Sequence, residues 1–140
     1  MAESENGLTI QDMRDGLGTN LRTISGLRVS EEIPDQVNPP MAVVSLTSVE
    51  YDQAFQRSLT IYRFLVTLIA SRASDRWAQI RLDGYCSNGS DSVKIAIESD
   101  KTLSGSAFDV RVTEMGNIGT ISLDESMYLA AEFSVDVFAD

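Results

Sequence analysis

The sequence predicts an α+β fold: a single domain in which an N-terminal helix and two central helices pack on a mixed, mainly antiparallel β-sheet. Apolar residues recur at three- and four-residue spacing near the N-terminus and at two-residue spacing in the last third of the chain. The 140 residues, of which 43% are hydrophobic, are enough for one ordinary core. We expect residues 8–140 to form this domain and residues 1–7 to form a flexible lead.

The N-terminal part of the chain predicts one helix and two short strands. Thr9 is a suitable N-cap and Gly26 a suitable C-terminal cap, so we expect the helix to end near Ser25. Residues 27–30 predict a short strand, and residues 41–46 contain a short apolar run that is typical of a covered strand. The predicted buried stripe of the helix consists of Ile10, Met13, Leu17, Leu21 and Ile24.

A β-branched and aromatic segment, residues 58–71, predicts a strand with apolar side chains on both faces. Fully extended, it would span about 46 Å at ~3.3 Å per residue, whereas a domain of this size is expected to be under ~40 Å across. Residues 127–138 would reach about 40 Å by the same rise. Two explanations remain open: a neighbouring subunit covers the strands, or a β-bulge divides each run within a monomer.

Two helices are predicted in the middle of the chain. Ser74 and Asp75 are suited to begin the first helix, and residues 91–99 form the second. Trp77 and Tyr85 lie on the first helix, where we expect them to pack in the core rather than to serve as interface anchors.

The last third of the chain predicts three antiparallel strands. Gly116 and Gly119 indicate a loose connection between the first two strands, and residues 124–126 predict a hairpin turn before the third. The apolar alternation that defines the strands covers residues 110–112, 121–123 and 127–137.

Composition argues against several classes of function. Aspartate and glutamate total 21 against 11 lysine and arginine, and the net charge of −10 opposes tight binding to nucleic-acid phosphates. Cys86 is the only cysteine and there is no histidine, which excludes an intramolecular disulfide, a Cys-rich zinc site and His-dependent catalytic pairs. The most apolar window, residues 59–70, is shorter than the ~20 residues of a membrane helix. We expect no cofactor, no membrane contact and, because Glu3 and Glu5 replace a basic region, no export signal.

Candidate catalytic groups are few. The carboxylate pairs Glu31/Glu32 and Asp124/Glu125 fall in predicted turns, where adjacent side chains usually point into solvent. Cys86 follows a predicted helix and is expected to be a small packed side chain rather than a nucleophile. A carboxylate-dependent hydrolase and a monomeric binding module are therefore the less favoured alternatives, and we expect the chain not to be an enzyme.

The middle of the chain carries a family resemblance. The run Ser71-Arg72-Ala73-Ser74-Asp75-Arg76, followed by Leu82-Asp83-Gly84-Tyr85, closely resembles the tail terminator proteins of long, non-contractile-tailed bacteriophages, especially those of actinobacteria. Gly84 stands where alanine is expected in that family. Further similar stretches lie in the same order between residues 8 and 138, among them Gly26-Leu27-Arg28-Val29, Asn38-Pro39-Pro40, Ser92-Val93-Lys94 and Glu132-Phe133.

The resemblance implies a structural virion protein, assembled in the host cytoplasm and located in the tail. Such proteins form a homohexameric ring that caps the tail tube, stops its polymerisation and provides the joining surface to the head–tail connector. The implied partners are further copies of the chain, the major tail tube protein and the connector, while DNA passes through the lumen without specific binding. The alternative is another neck, minor tail or head-completion protein of the same fold.

Two sets of residues are candidates for these contacts. Glu132 and Asp136 alternate with apolar residues of the last predicted strand and form an acidic stripe that faces water or a lumen. From the residues alone a solvated face is favoured, and our hypothesis for the ring is that an acidic lumen repels phosphate. The candidate subunit or partner interface, on the long strand and the loop before it, comprises Tyr51, Phe55, Leu59, Ile61, Arg63, Leu65, Ile69 and Arg72.

Overall fold

Five strands form one sheet in the order β1-β2-β3-β5-β4, in a computed structural model that describes residues 10–31, 36–51, 59–103, 105, 107–123 and 125–139. β1 runs parallel to β2 and every other pair is antiparallel. The predicted α+β fold is confirmed. In chain order the elements are α1 (Ile10–Leu21), β1 (Arg28–Ser30), β2 (Met41–Glu50), β3 (Thr60–Arg72), α2 (Ala78–Cys86), α3 (Val93–Ile97), β4 (Asp109–Leu123) and β5 (Ser126–Ala139).

The three helices pack on one face of the sheet and enclose the main core with it. Alternation along β3 and β5 sends Phe64, Val66 and Phe133 towards the helices, as the sequence predicts. The predicted stripe of α1 is buried except for Ile10, which is half-buried. The helix itself ends at Leu21 rather than near Ser25, and residues 22–26 are turns that close on Gly26 with φ +80°.

The long strands are not divided into shorter ones. β3 has 13 residues and β5 has 14, and they pair from Thr60 opposite Ala139 to Arg72 opposite Tyr128. A register shift between Ile69 and Ser71 marks a bulge near the end of β3, which bends the strand without ending it. Of the two explanations for the strand length, division of β3 and β5 by bulges is therefore wrong.

The prediction of three strands in the last third is wrong, because β4 continues through Gly116 and Gly119 as one strand of 15 residues. The pairing with β5 shifts register between these two glycines, and Asn117 between them has φ 50°. Glycine is as typical of a bulge as of a loop, so the sequence alone does not separate the two. The predicted hairpin turn between β4 and β5 is confirmed, with Leu123 opposite Ser126.

Trp77 is exposed, so its predicted core position is wrong. α2 begins at Ala78, and its buried stripe is Ala78, Leu82 and Tyr85. Trp77 precedes this stripe at the N-cap and is 52% exposed, and Ile80 lies off the stripe and is 62% exposed. Tyr85 is buried, as predicted.

α1 is held closely against the turn that follows α3. A Cβ atom on Gly16 would lie 2.6 Å from Cβ of Leu103, which is closer than real Cβ contacts allow, and 3.1 Å from its carbonyl oxygen, which is tight. One turn further along the helix, the buried side chain of Asn20 donates hydrogen bonds from Nδ2 to the carbonyl oxygens of Ile97 at 2.8 Å and Asp100 at 3.0 Å. Gly16 therefore lets α1 approach the Leu103 turn closely, and the hydrogen bonds of Asn20 hold α1 in that position.

Gly16→Ala and Gly84→Ala form a matched pair that tests this close approach. Gly16→Ala should lower the free energy of unfolding by about 1–3 kcal/mol, because the new methyl group forces the helix and the Leu103 turn apart. Gly84→Ala, in α2 with open space around its Cβ position, should be neutral or raise it by up to about 1 kcal/mol. Urea unfolding followed by circular dichroism measures both, and equal effects would contradict the close contact.

Candidate interaction surface on the open sheet face

No described helix lies on the face of the sheet opposite the helical layer. At one end of this face, apolar side chains bury each other in a second cluster, which consists of Met41, Val43, Ile69, Tyr128 and Ala130. The other end is half-exposed and carries charged, polar and apolar side chains, and we call it the open face. The open face consists of Glu50, Ile61, Arg63, Leu65, Asp109, Arg111, Glu114, Glu132, Ser134, Asp136 and Phe138.

The structure brings the two predicted residue sets together on the open face. In the register of β3 and β5, Arg63 lies opposite Asp136 and Leu65 opposite Ser134. The predicted interface residues Ile61, Arg63 and Leu65 thus share one surface with the predicted lumen residues. Periodicity predicted that Glu132 and Asp136 lie on the face of the last strand opposite Phe133 and Val135, as they do. It did not distinguish the two faces of β3 or predict that β3 and β5 are neighbours.

Ion pairs neutralise part of the predicted acidic stripe. The guanidinium of Arg63 contacts the carboxylate of Glu50, and its Nε lies 3.6 Å from Oδ1 of Asp136. Nε of Arg111 lies 3.4 Å from Oδ2 of Asp109. Most of these side chains are at least one third exposed, and Asp136 is 18% exposed, so solvent screens the pairs and each adds little stability. The open face as a whole retains five carboxylates against two guanidinium groups, a local charge of −3.

The unneutralised carboxylates surround a shallow depression of about 210 Å³ beside the bulge of β4. Glu114 and Glu132 lie on its rim, and the side-chain amide of Asn117 donates a hydrogen bond of 2.5 Å to Oε1 of Glu132. Leu65 contributes an apolar side to the depression. It is thus an acidic hollow with an apolar wall.

The remaining predicted interface residues are dispersed. Ile69 has no exposed surface, because the second apolar cluster covers it, so it cannot contribute contact area in this conformation. Tyr51 is 69% exposed beyond the end of β2, and Leu59 is half-buried. Arg72 is exposed, with its guanidinium carbon 6.0 Å from the centre of the Tyr128 ring. Phe55 lies outside the described residues.

A second exposed surface lies around the start of α2, and we call it the α2 patch. Trp77 and Ile80 are its exposed apolar residues, and Arg72, Arg76 and Arg81 are exposed arginines near them in the sequence. The guanidinium carbon of Arg76 lies 5.4 Å from the centre of the Trp77 ring, a distance typical of cation–π contact. Nε of Arg81 lies 3.7 Å from Oδ2 of Asp75, whose other oxygen accepts the backbone N–H of Trp77 at 2.9 Å. The sequence signal for this surface was the three arginines within residues 72–81 of an acidic chain.

The outer edge of β4 is partly shielded within the chain. The backbone N–H of Val112 donates to Oε2 of Glu98 at 2.9 Å, and Nζ of Lys94 lies 2.7 Å from Oε1 of the same carboxylate. Burial disfavours the charged form of Glu98, but the hydrogen bonds from Lys94 and Val112 and the charges of Lys94 and Lys101 outweigh burial and lower the pKa of Glu98. With two bulges in addition, this edge is a poor template for adding another strand.

Catalytic groups are not assembled among the described residues. Burial, and then the nearby Asp83 carboxylate, raise the pKa of the Cys86 thiol, which disfavours the thiolate that a nucleophile needs. Glu32 and Asp124 lie outside the described residues, so the predicted carboxylate pairs are incomplete there. Within the described ranges, no group of three or more acidic or cysteine side chains is placed to hold a metal ion. None of the described helices has the length and apolarity needed to cross a membrane.

Glu98→Gln tests the shielded edge through its pH dependence. The folded pKa of Glu98 lies below its unfolded value of about 4.3, so its stabilising effect is present above that pH and is lost as pH falls through the folded value. The variant should therefore be less stable than the wild type at pH 7, and the difference should shrink towards pH 3. Urea unfolding at several pH values measures it, with the exposed Glu114→Gln as control. A stability difference between wild type and variant that grows as the pH falls would contradict the stabilising role of the Glu98 carboxylate.

Comparison with known proteins adds no relative from which a function can be transferred. No protein-family model matches the sequence, and no curated protein matches it. The functional interpretation therefore depends on the open face, the α2 patch and the resemblance carried by residues 71–85.

Proposed function

We propose that the chain is a structural virion protein that caps the tail tube of a long, non-contractile-tailed phage as a homohexameric ring. In this role it terminates tube polymerisation and forms the joining surface to the head–tail connector. The observation that carries the proposal is the open face. Helices cover one face of the sheet, while half of the other face is exposed. An antiparallel sheet can leave one face in water, but this face combines the apolar side chains of Ile61 and Leu65 with charged groups of both signs, a composition suited to contact with a neighbouring protein.

The position of the family-like residues supports the proposal. The run from Ser71 to Arg76 joins the end of β3 to α2, and Arg72, Ser74 and Arg76 in it are exposed. Residues that serve only packing would be buried. Exposed residues in a motif that resembles an assembly family are better suited to contact with partners than to the core.

The charge of the chain suits a ring through which DNA passes. A net charge of −10 per copy repels phosphates, so a genome crossing the lumen would not be held there. The proposed protein partners are the major tail tube protein on one side of the ring and the connector on the other. The proposed location is the tail–neck junction of the virion, after assembly in the host cytoplasm.

A phage that lacks this chain should make tails of variable length. Without a terminating ring, tubes should grow to variable lengths and fail to join heads, and electron microscopy of a lysate from a phage lacking the gene measures both. Supplying the wild-type chain in trans is the control and should restore uniform tails. Tails of normal length in the deletion would overturn the proposal.

Position in the virion separates the proposed role from the related alternatives. A reconstruction should show six copies of this chain in the last ring of the tube below the neck. On isolated tubes, the added mass should equal six times the chain mass of 15.3 kDa. Density in the head would favour a head-completion protein. Density at the far end of the tail would exclude both a tail terminator and a head-completion protein.

A further inference from the structure

We propose that the α2 patch of one copy docks on the open face of the next copy in a head-to-tail contact. The inference rests on the proposed function and names the two surfaces that would join neighbouring subunits of the ring. The occupant of the open face is thus a second copy of this chain, presenting Trp77 and Ile80 with their flanking arginines.

Charge complementarity is the first reason. Copies with a net charge of −10 repel each other over most of their surfaces, so a contact between them requires a locally cationic region. Residues 72–81 carry three arginines and one aspartate, a net charge of +2, while the open face carries −3. Within the patch, Arg81 is paired with Asp75, whereas no carboxylate is recorded within 4.0 Å of the guanidinium groups of Arg72 and Arg76 among the described residues.

The apolar parts of the two surfaces also correspond. Trp77 and Ile80 expose more than half of their surface, and tryptophan and arginine are the residues that most often dominate binding energy at interfaces. On the open face, Leu65 forms the apolar wall of the acidic depression, and Ile61 lies on the same strand. Arginines near exposed apolar residues would thus meet Glu114 and Glu132 around an apolar wall.

The placement of the surfaces dictates the symmetry of the contact. The apolar part of the α2 patch, Trp77 and Ile80, belongs to the helical layer, whereas the open face is on the opposite side of the sheet. Contact between two different surfaces is heterologous, and it generates a closed ring when the rotation per subunit permits. Helices of one copy would then cover the sheet of the next. The edge of β4 is the less suitable site because Glu98 already accepts its N–H at Val112.

Two charge-reversal variants test the contact. Variant one carries Arg76→Glu and Arg81→Glu in the α2 patch, and variant two carries Glu114→Lys and Glu132→Lys on the open face. Each variant alone should raise the dissociation constant of self-association by about tenfold or more. In either variant the α2 patch and the open face carry the same sign of charge, so the two surfaces repel each other. Mixed in equal amounts, the two variants should associate again, since the two reversed surfaces complement each other and the two unchanged surfaces do as well. Such recovery is specific to a heterologous contact.

A second pair of variants tests the same contact without changing any charge. Ile80→Ser should weaken association, whereas Ile95→Ser, which alters a 49% exposed isoleucine on α3, should not. Both positions are exposed, so the fold should tolerate both changes, and thermal unfolding checks this. Sedimentation velocity over a concentration series, alone and with isolated tail tubes, measures the assembled mass.

The outcomes separate the inference from the function on which it rests. If the wild type forms a ring and the variants do so equally well, or if mixing restores nothing, the proposed contact is overturned while the proposed function stands. If the wild type forms no multimer alone or on tubes, the proposed function itself fails.

Discussion

The pairing of β3 with β5 is the interaction on which the rest of the structure depends. These central strands stay in contact over the full length of β3, and their register places Val66 beside Phe133 beneath the helices. The same register places Arg63 beside Asp136 on the other side. A slip of one residue would exchange the two faces, moving apolar side chains to solvent and charges into the core. One register therefore builds both the core and the open face.

The helical layer determines where the second surface lies. α2 follows the end of β3 after only a short turn, and Leu82 and Tyr85 anchor it to the core, so Trp77 and Ile80 are held pointing away from the sheet. α1 and α3 are joined through the contact of Gly16 with Leu103 and the two hydrogen bonds of Asn20. The two exposed surfaces are thus fixed relative to each other by one core, which a ring of repeated contacts requires.

Local patterns predicted the fold class and most elements, because helix and strand periodicities are short-range properties. They also placed Asp136 on the side of its strand opposite the core residues Phe133 and Val135, and they made Arg63 a candidate contact residue. They did not predict that Arg63 and Asp136 pair, since strand order depends on contacts between distant segments. The same limit explains Ile69, which Met41 and Tyr128 bury from distant parts of the sequence. Trp77 was misplaced because the buried stripe of α2 starts at Ala78, one position after Trp77, and one position along a helix is a rotation of about 100°.

Repulsion between copies and attraction between the two surfaces act over different distances. The net charge of −10 opposes the approach of two copies from afar, although at physiological ionic strength screening limits this to roughly 8 Å. The arginines of the α2 patch and the carboxylates of the open face act at contact, where screening is weaker. A single contact must therefore offset a general repulsion, whereas a tube end that orients six copies adds contacts of its own. Under the proposed function, this balance keeps free copies apart in the cytoplasm and favours the ring where a tube end gathers them.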